Sequence, residues 1–202
     1  MYIQVSTLLF QLFSSTRFKL IILIFGYTLA MKEIEQEKLD QLMEIIKPAP
    51  ALRIAHMCDG EEEMIGSMSR FCVENGYEYQ INCMDASASA IISERYREVP
   101  EVRCIHFNLA RPKYMTQGKF YEYLFVTADI PKSLQNSFLK KAHGIIKNDG
   151  LILIFLPKNA HIECDIWMQM LETHYYVASS FIDDLFENYS LIISKKMHGW
   201  GE

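Results

Sequence analysis

Asp85 is the residue in this sequence best placed to do chemistry. It closes residues 79–84, where Tyr79, Ile81 and Cys83 alternate with Gln80, Asn82 and Met84 at the period of an extended strand. From Ser87 the apolar spacing changes to three and four, with Ala88, Ile91, Ile92 and Tyr96 recurring as on a helix. The acid therefore stands between the carboxyl end of a strand and a helix that Ser87 can cap. In an open parallel sheet that edge is where ligands lie, because the loops there diverge around the point where strand order reverses. A carboxylate in this place can accept two hydrogen bonds from the vicinal hydroxyls of a ribose. It can equally cap the helix or tighten the turn, and the residue types leave both roles open.

Other strand ends carry polar groups as well. Cys58-Asp59-Gly60 follows a first strand candidate at residues 51–57, Asn108 follows one at 102–107, and Asp129 follows one at 123–128. Asn108 offers an amide to a base edge, or serves only as a turn residue. Asp129 is the one catalytic candidate: it could orient or deprotonate a nucleophile, or else cap the helix that begins near Pro131 and Ser133. No metal site is suggested. His56, His106, His143, His161 and His174 fall on separate elements without ligand spacing, and five scattered cysteines lack a paired C-x-x-C. They read as reduced, mostly buried small hydrophobes.

The elements that must position these residues alternate. An amphipathic helix opens at Met31, with Leu39, Leu42, Met43 and Ile46 on one face, and stops at Pro48 and Pro50. After the first strand, Glu61-Glu62-Glu63 opens a helix at its positive end, with Met64, Ile65, Met68, Phe71 and Cys72 inward and Asn75-Gly76 as its stop. The spacing predicts a further helix over 133–147, an apolar central strand over 151–156, and a helix over about 163–173. Trp167, Met168 and Met170 on that last helix read as packing. Two final strands, near 176–182 and 189–195, are joined by so short a link that only antiparallel pairing is possible. The expected fold is a three-layer α/β/α sandwich, a mostly parallel sheet closed by a C-terminal antiparallel hairpin.

Half of the 202 residues are hydrophobic, enough for one domain with a sizeable core, and the net charge is -5. That balance gives no electrostatic reason to expect nucleic acid. A short tail, residues 195–201, mixes cations with Trp200 and reads as a chain end rather than an RNA contact. Residues 1–30 differ from the rest: no Asp or Glu, two cations, and the apolar run 20–30, too short to cross a bilayer comfortably. The working division is residues 1–30, a segment preceding the true start at Met31, and residues 31–202, the domain. A membrane anchor through residues 8–30 and a cleaved signal are the alternatives. The domain is expected in the cytoplasm, with a small-molecule substrate, and membrane contact only if residues 1–30 are retained.

With that pattern the chain resembles the class I S-adenosylmethionine-dependent methyltransferases. Ile81-Asn82-Cys83-Met84-Asp85-Ala86-Ser87 is similar to their second motif, a strand ending in the Asp that holds the cofactor ribose; residues 120–126 are similar to their fourth strand. Residues 138–154, with Lys147-Asn148-Asp149-Gly150 at the turn, are similar to the helix, Lys-x-x-Gly turn and buried strand that follow. The resemblance spans roughly residues 52–196. It implies S-adenosylmethionine as cofactor, with Asp85 and Ala86 at the ribose, Asn108 near the adenine, and Asp59 and Gly60 near the methionine moiety. The family's first motif carries an acid in the strand and two or three glycines in the loop. Here Ile54-Ala55-His56-Met57-Cys58-Asp59-Gly60 keeps only Gly60. Residues 127–131 also lack the family's N-P-P-Y, and are loosely like the Asp-containing loop of aminopropyltransferases.

A nicotinamide dinucleotide would need a G-x-G-x-x-G loop, and Glu61, Glu62 and Glu63 stand where its phosphates would lie. S-adenosylmethionine has no phosphate and a positive sulfonium. Two readings follow: a methyltransferase of unspecified substrate, or a catalytically inactive binding or regulatory module on the same fold.

Overall fold

A computed structural model describes residues 34–60, 62–114 and 120–198, all within the unit Ile34–Glu202. The expectations for residues 1–30, and for the chain end beyond residue 198, lie outside the described residues. In chain order the elements are α1 (Gln36–Met43), β1 (Arg53–Cys58), α2 (Glu63–Asn75), β2 (Glu78–Cys83), α3 (Ala86–Arg95), β3 (Val102–His106), β4 (Tyr121–Val126), α4 (Lys132–His143), β5 (Ile146–Pro157), α5 (His161–Thr173), β6 (Tyr176–Ile182) and β7 (Tyr189–Lys196). They form one seven-stranded sheet in the order β3-β2-β1-β4-β5-β7-β6. Strands β1 to β5 pair in parallel, and β7 runs antiparallel between β5 and β6. This is the three-layer architecture the sequence implies.

Alternation along the strands divides the core into two sides. Ile54 and Cys58 of β1, Tyr79, Ile81 and Cys83 of β2, and Tyr123 and Phe125 of β4 pack with Leu39 of α1, Met64 and Met68 of α2 and Ile92 of α3. Ala55 and Met57 of β1, with Leu124 and Val126 of β4, pack instead with Phe138 of α4 and Trp167 of α5. Each fully buried side chain of this size contributes roughly 1.5–3 kcal/mol, so the two clusters supply most of the drive to fold. Trp167 is 2 % exposed and meets Phe138 edge to face at 6.4 Å, which makes it packing, as read.

Three boundaries differ from the sequence reading. Helix α1 begins at Gln36 rather than Met31. The cap of α3 is Asp85, not Ser87, because Asp85 holds the extended backbone of an N-cap (φ -81°, ψ 125°) while Ser87 lies within the first turn. Helix α4 runs over Lys132–His143 and stops at Gly144; Ile145 and Ile146, which fall inside the helix the spacing predicts over 133–147, lead into β5 instead. The confusion is physical, since a buried strand and a buried helix end both present consecutive isoleucines. Strand β5 then shifts register against β4, with Asp149 in the left-handed region (φ 66°). At Gly150 a Cβ would lie 2.8 Å from the Glu122 carbonyl oxygen and 2.9 Å from that of Lys147, so glycine is demanded by backbone contact on both sides.

Candidate functional site

The registers place four sequence candidates in one row. Cys58, Cys83 and His106 are partners across β1, β2 and β3, and Met57 pairs with Val126 of β4. Counting onward from these pairs, Asn108, Asp85, Gly60 and Asp129 stand at equivalent heights just beyond the carboxyl ends of four neighbouring strands. Between β1 and β4 the chain order reverses, the position where open α/β sheets hold ligands. The loops are tied to each other: Met84 N–H donates to the Cys58 carbonyl (2.9 Å) and Asp85 N–H to that of Asp59 (3.2 Å).

At the β2 and β3 ends the candidates are open. Asp85 is exposed, and its Oδ1 accepts from Ala88 N–H at 2.7 Å, which is the helix cap. Capping occupies one carboxylate oxygen; Oδ2 has no hydrogen bond among the described residues and can accept from a ribose hydroxyl. Ala86, the first residue of α3, is exposed beside it. Asn108 is exposed too, its Oδ1 accepting from Ala110 N–H at 2.8 Å, which leaves the amide N–H groups to donate to a base edge.

At the β1 and β4 ends the arrangement is closed. Asp59 Oδ2 accepts from Asp129 N–H at 2.8 Å, across the switch point. Beneath it lies a buried polar chain that sequence reasoning missed. Tyr79 Oη is 2.7 Å from His56 Nδ1, His56 Nε2 is 2.8 Å from Thr127 Oγ1, and Thr127 Oγ1 donates to Glu62 Oε1 at 2.8 Å. His56 and Glu62 side chains are 0 and 2 % exposed, with Nε2 and Oε2 3.7 Å apart. Burial pushes the Tyr79 phenol well above its ordinary range, so it keeps its proton and donates to Nδ1. The His56 tautomer with hydrogen on Nε2 then donates to Thr127, and one donor direction runs from Tyr79 through His56 and Thr127 to the Glu62 carboxylate.

The signal was available: His56 is the polar residue in the middle of an otherwise apolar central strand, and such a residue must find partners. The sequence sets Glu62 among the three acids that open α2, where a dinucleotide's phosphates would lie. It is the N-cap residue of α2, as that position implies, but its carboxylate is buried. In the resembled family that strand holds an acid and that loop is glycine; here the strand holds the histidine and the loop supplies the acid.

Asp129 is exposed and does not cap α4, whose N-cap is Pro131 with no side-chain bond; the capping role considered for it is not what the structure has. Cys58 is pushed well up by its hydrogen bond with Cys83 and by burial, which keeps it a thiol. All five cysteines are free, and no metal-binding cluster occurs among the described residues. Nor, among them, is any helix long and apolar enough to cross a membrane.

Comparison with known proteins now bears on the fold. No family model matches the sequence, and no curated protein matches it. Solved structures do. A TehB-like SAM-dependent methyltransferase from Corynebacterium glutamicum superposes with a TM-score of 0.62 at 11% identity, covering 88% of this chain and 96% of that one. The CMeT domain of the citrinin polyketide synthase gives 0.62 at 15% identity, covering 80% and 51%, and the carbon methyltransferase CurJ gives 0.61 at 11%, covering 79% and 52%. The chain thus spans about half the length of the last two. It has the class I S-adenosylmethionine-dependent methyltransferase fold.

Proposed function

We propose that the chain is an S-adenosylmethionine-dependent methyltransferase acting on a small molecule. The observation that carries this reading is the row Asn108, Asp85, Gly60 and Asp129 at the switch point, with exposed Asp85 and Asn108 side chains on adjacent strands. Asp85 Oδ2 would accept from the ribose, Asn108 would donate to the adenine, and Asp59, Gly60 and Ala86 would supply backbone around them. Bound there, the cofactor supplies a methyl group on a cationic sulfur, open to in-line attack, and the protein's part is positioning. Asp129, exposed beyond the carboxyl end of β4, would orient or deprotonate the acceptor. Five unpaired thiols favour a cytoplasmic setting.

Glu62 supports a second reading. Its buried carboxylate lies under the loop where the family keeps glycine, so the methionine end of the cofactor enters only if that side chain moves. If it does not move, the chain is a nucleoside-binding or regulatory module without transfer. Saturation-transfer NMR with S-adenosylmethionine separates the outcomes. The methyltransferase reading expects ribose, adenine and methyl protons all to receive saturation, and Asp85→Ser to abolish it. Saturation confined to the nucleoside protons supports the module; none at all overturns both.

A further inference from the structure

Charge is segregated along this chain. Residues 103–147 hold eight Lys or Arg against two Asp or Glu, a formal +6, while the remainder carries -11. No acid occurs between residues 102 and 121. The strand connection that follows β3 and the helix α4 both belong to this basic segment, and between them lies a cavity of about 500 Å³. Lys113, Lys140, Ser137 and Tyr114 are among its walls, which contain no carboxylate among the described residues.

The lysines differ in role. Lys141 Nζ donates to the Leu109 carbonyl at 2.9 Å and lies 5.1 Å from the Tyr114 ring centroid, so it anchors the connection to α4. Lys113 and Lys140 are exposed, and neither has an ion pair among the described residues. Lysines in the last turn of a helix oppose its dipole and need no ligand, which accounts for Lys140 alone. Lys113 stands on the facing connection, where no helix end explains it. The Lys140 charge is felt nearby: the His174 imidazole is drawn below its ordinary range by burial and then by that charge.

We propose that this cavity binds a small organic phosphate. Lys113 and Lys140 supply two cations for the phosphoryl oxygens, the Ser137 hydroxyl supplies a donor, and Pro112 and Ile145 give an apolar wall for the organic part. The volume falls inside the range of about 300–1,000 Å³ usual for small-ligand sites, and a few polar groups in a largely apolar lining is their usual composition. The site is distinct from the rim row and does not rest on methyl transfer.

The test is calorimetric titration with phenyl phosphate at 150 mM salt. Saturable one-to-one binding is expected, tighter than that of inorganic phosphate, absent for benzyl alcohol, and weakened at least tenfold in the double variant Lys113→Ala/Lys140→Ala. Both substitutions are at exposed positions, and S-adenosylmethionine titration of the same variant is expected to be unchanged, so loss of one site is told from loss of the other. No heat with phenyl phosphate, equal binding in the variant, or binding of a ten-residue oligonucleotide without binding of phenyl phosphate would each overturn the proposal.

Discussion

At the β2 and β3 ends of the rim, Asp85 and Asn108 are exposed and each commits one oxygen to its own turn. At the β1 and β4 ends, Asp59 bonds across to Asp129 N–H, and Glu62, Thr127, His56 and Tyr79 form a continuous buried chain. The two ends lie on the same rim of the same sheet, yet one leaves its polar groups available and the other uses them on the protein itself. The difference teaches that a switch point can keep the geometry of a binding crevice while local side chains decide which half of it stays open.

The largest effect is expected from His56→Ala. It leaves the Tyr79 hydroxyl without its acceptor and Thr127 without its donor in the core, while Thr127 keeps its bond to Glu62, and each buried polar group so stranded costs about 1–3 kcal/mol. Asn108→Ala removes only a surface turn bond, which should stay below about 1 kcal/mol. Urea unfolding compares the two; equal losses would erase the distinction between a structural end and a ligand end.

Glu62→Gly tests the closed end directly. It should raise S-adenosylmethionine affinity about tenfold or more, about 1.4 kcal/mol, while adenosine affinity stays level. Parallel gains for both ligands in a binding titration would mean that Glu62 does not guard the methionine half.

Asp85 lets capping be separated from binding. Asp85→Ala should destabilise by about 1 kcal/mol through loss of the Ala88 bond, and Asp85→Ser by only a few tenths, since serine also caps. Both should lose ligand affinity. Thermal unfolding and titration of the pair would blur the picture if serine kept affinity along with stability.

A pH dependence leaves the rim aside. Burial, then the charges of Lys196 and His174, draws His143 down to about 4 from its ordinary 6.5. Its folded value lies below its unfolded one, so the unfolded state takes up the proton first as pH falls from 6.5 toward 4, and stability declines over that window. His143→Gln should flatten this part of the melting-temperature curve, whereas Asn108→Ala should not. The same flattening in Asn108→Ala would tie acid sensitivity to the rim.

The architecture was legible because strand alternation and helical spacing each report burial, and the short link over residues 183–188 forces β6 and β7 antiparallel. The rim row was legible from strand ends that finish in Asp or Asn. The network was not, because hydrogen bonds between His56 on β1, Tyr79 on β2, Thr127 after β4 and Glu62 before α2 have no signature in local spacing. The end of α4 was misread for a related reason: only the pairing of Ile146 with Tyr121 of β4 shows that Ile146 already belongs to a strand.

The central claim is that Asp85, at the end of β2, holds a ribose. Isothermal titration of the full chain with S-adenosylmethionine and with S-adenosylhomocysteine, in wild type and in Asp85→Ser, addresses it most directly. The account predicts saturable heat in the wild type and at least a tenfold loss in the variant, with melting temperature nearly unchanged. Absence of heat with either ligand in the wild type, or equal affinity in the variant, would contradict it.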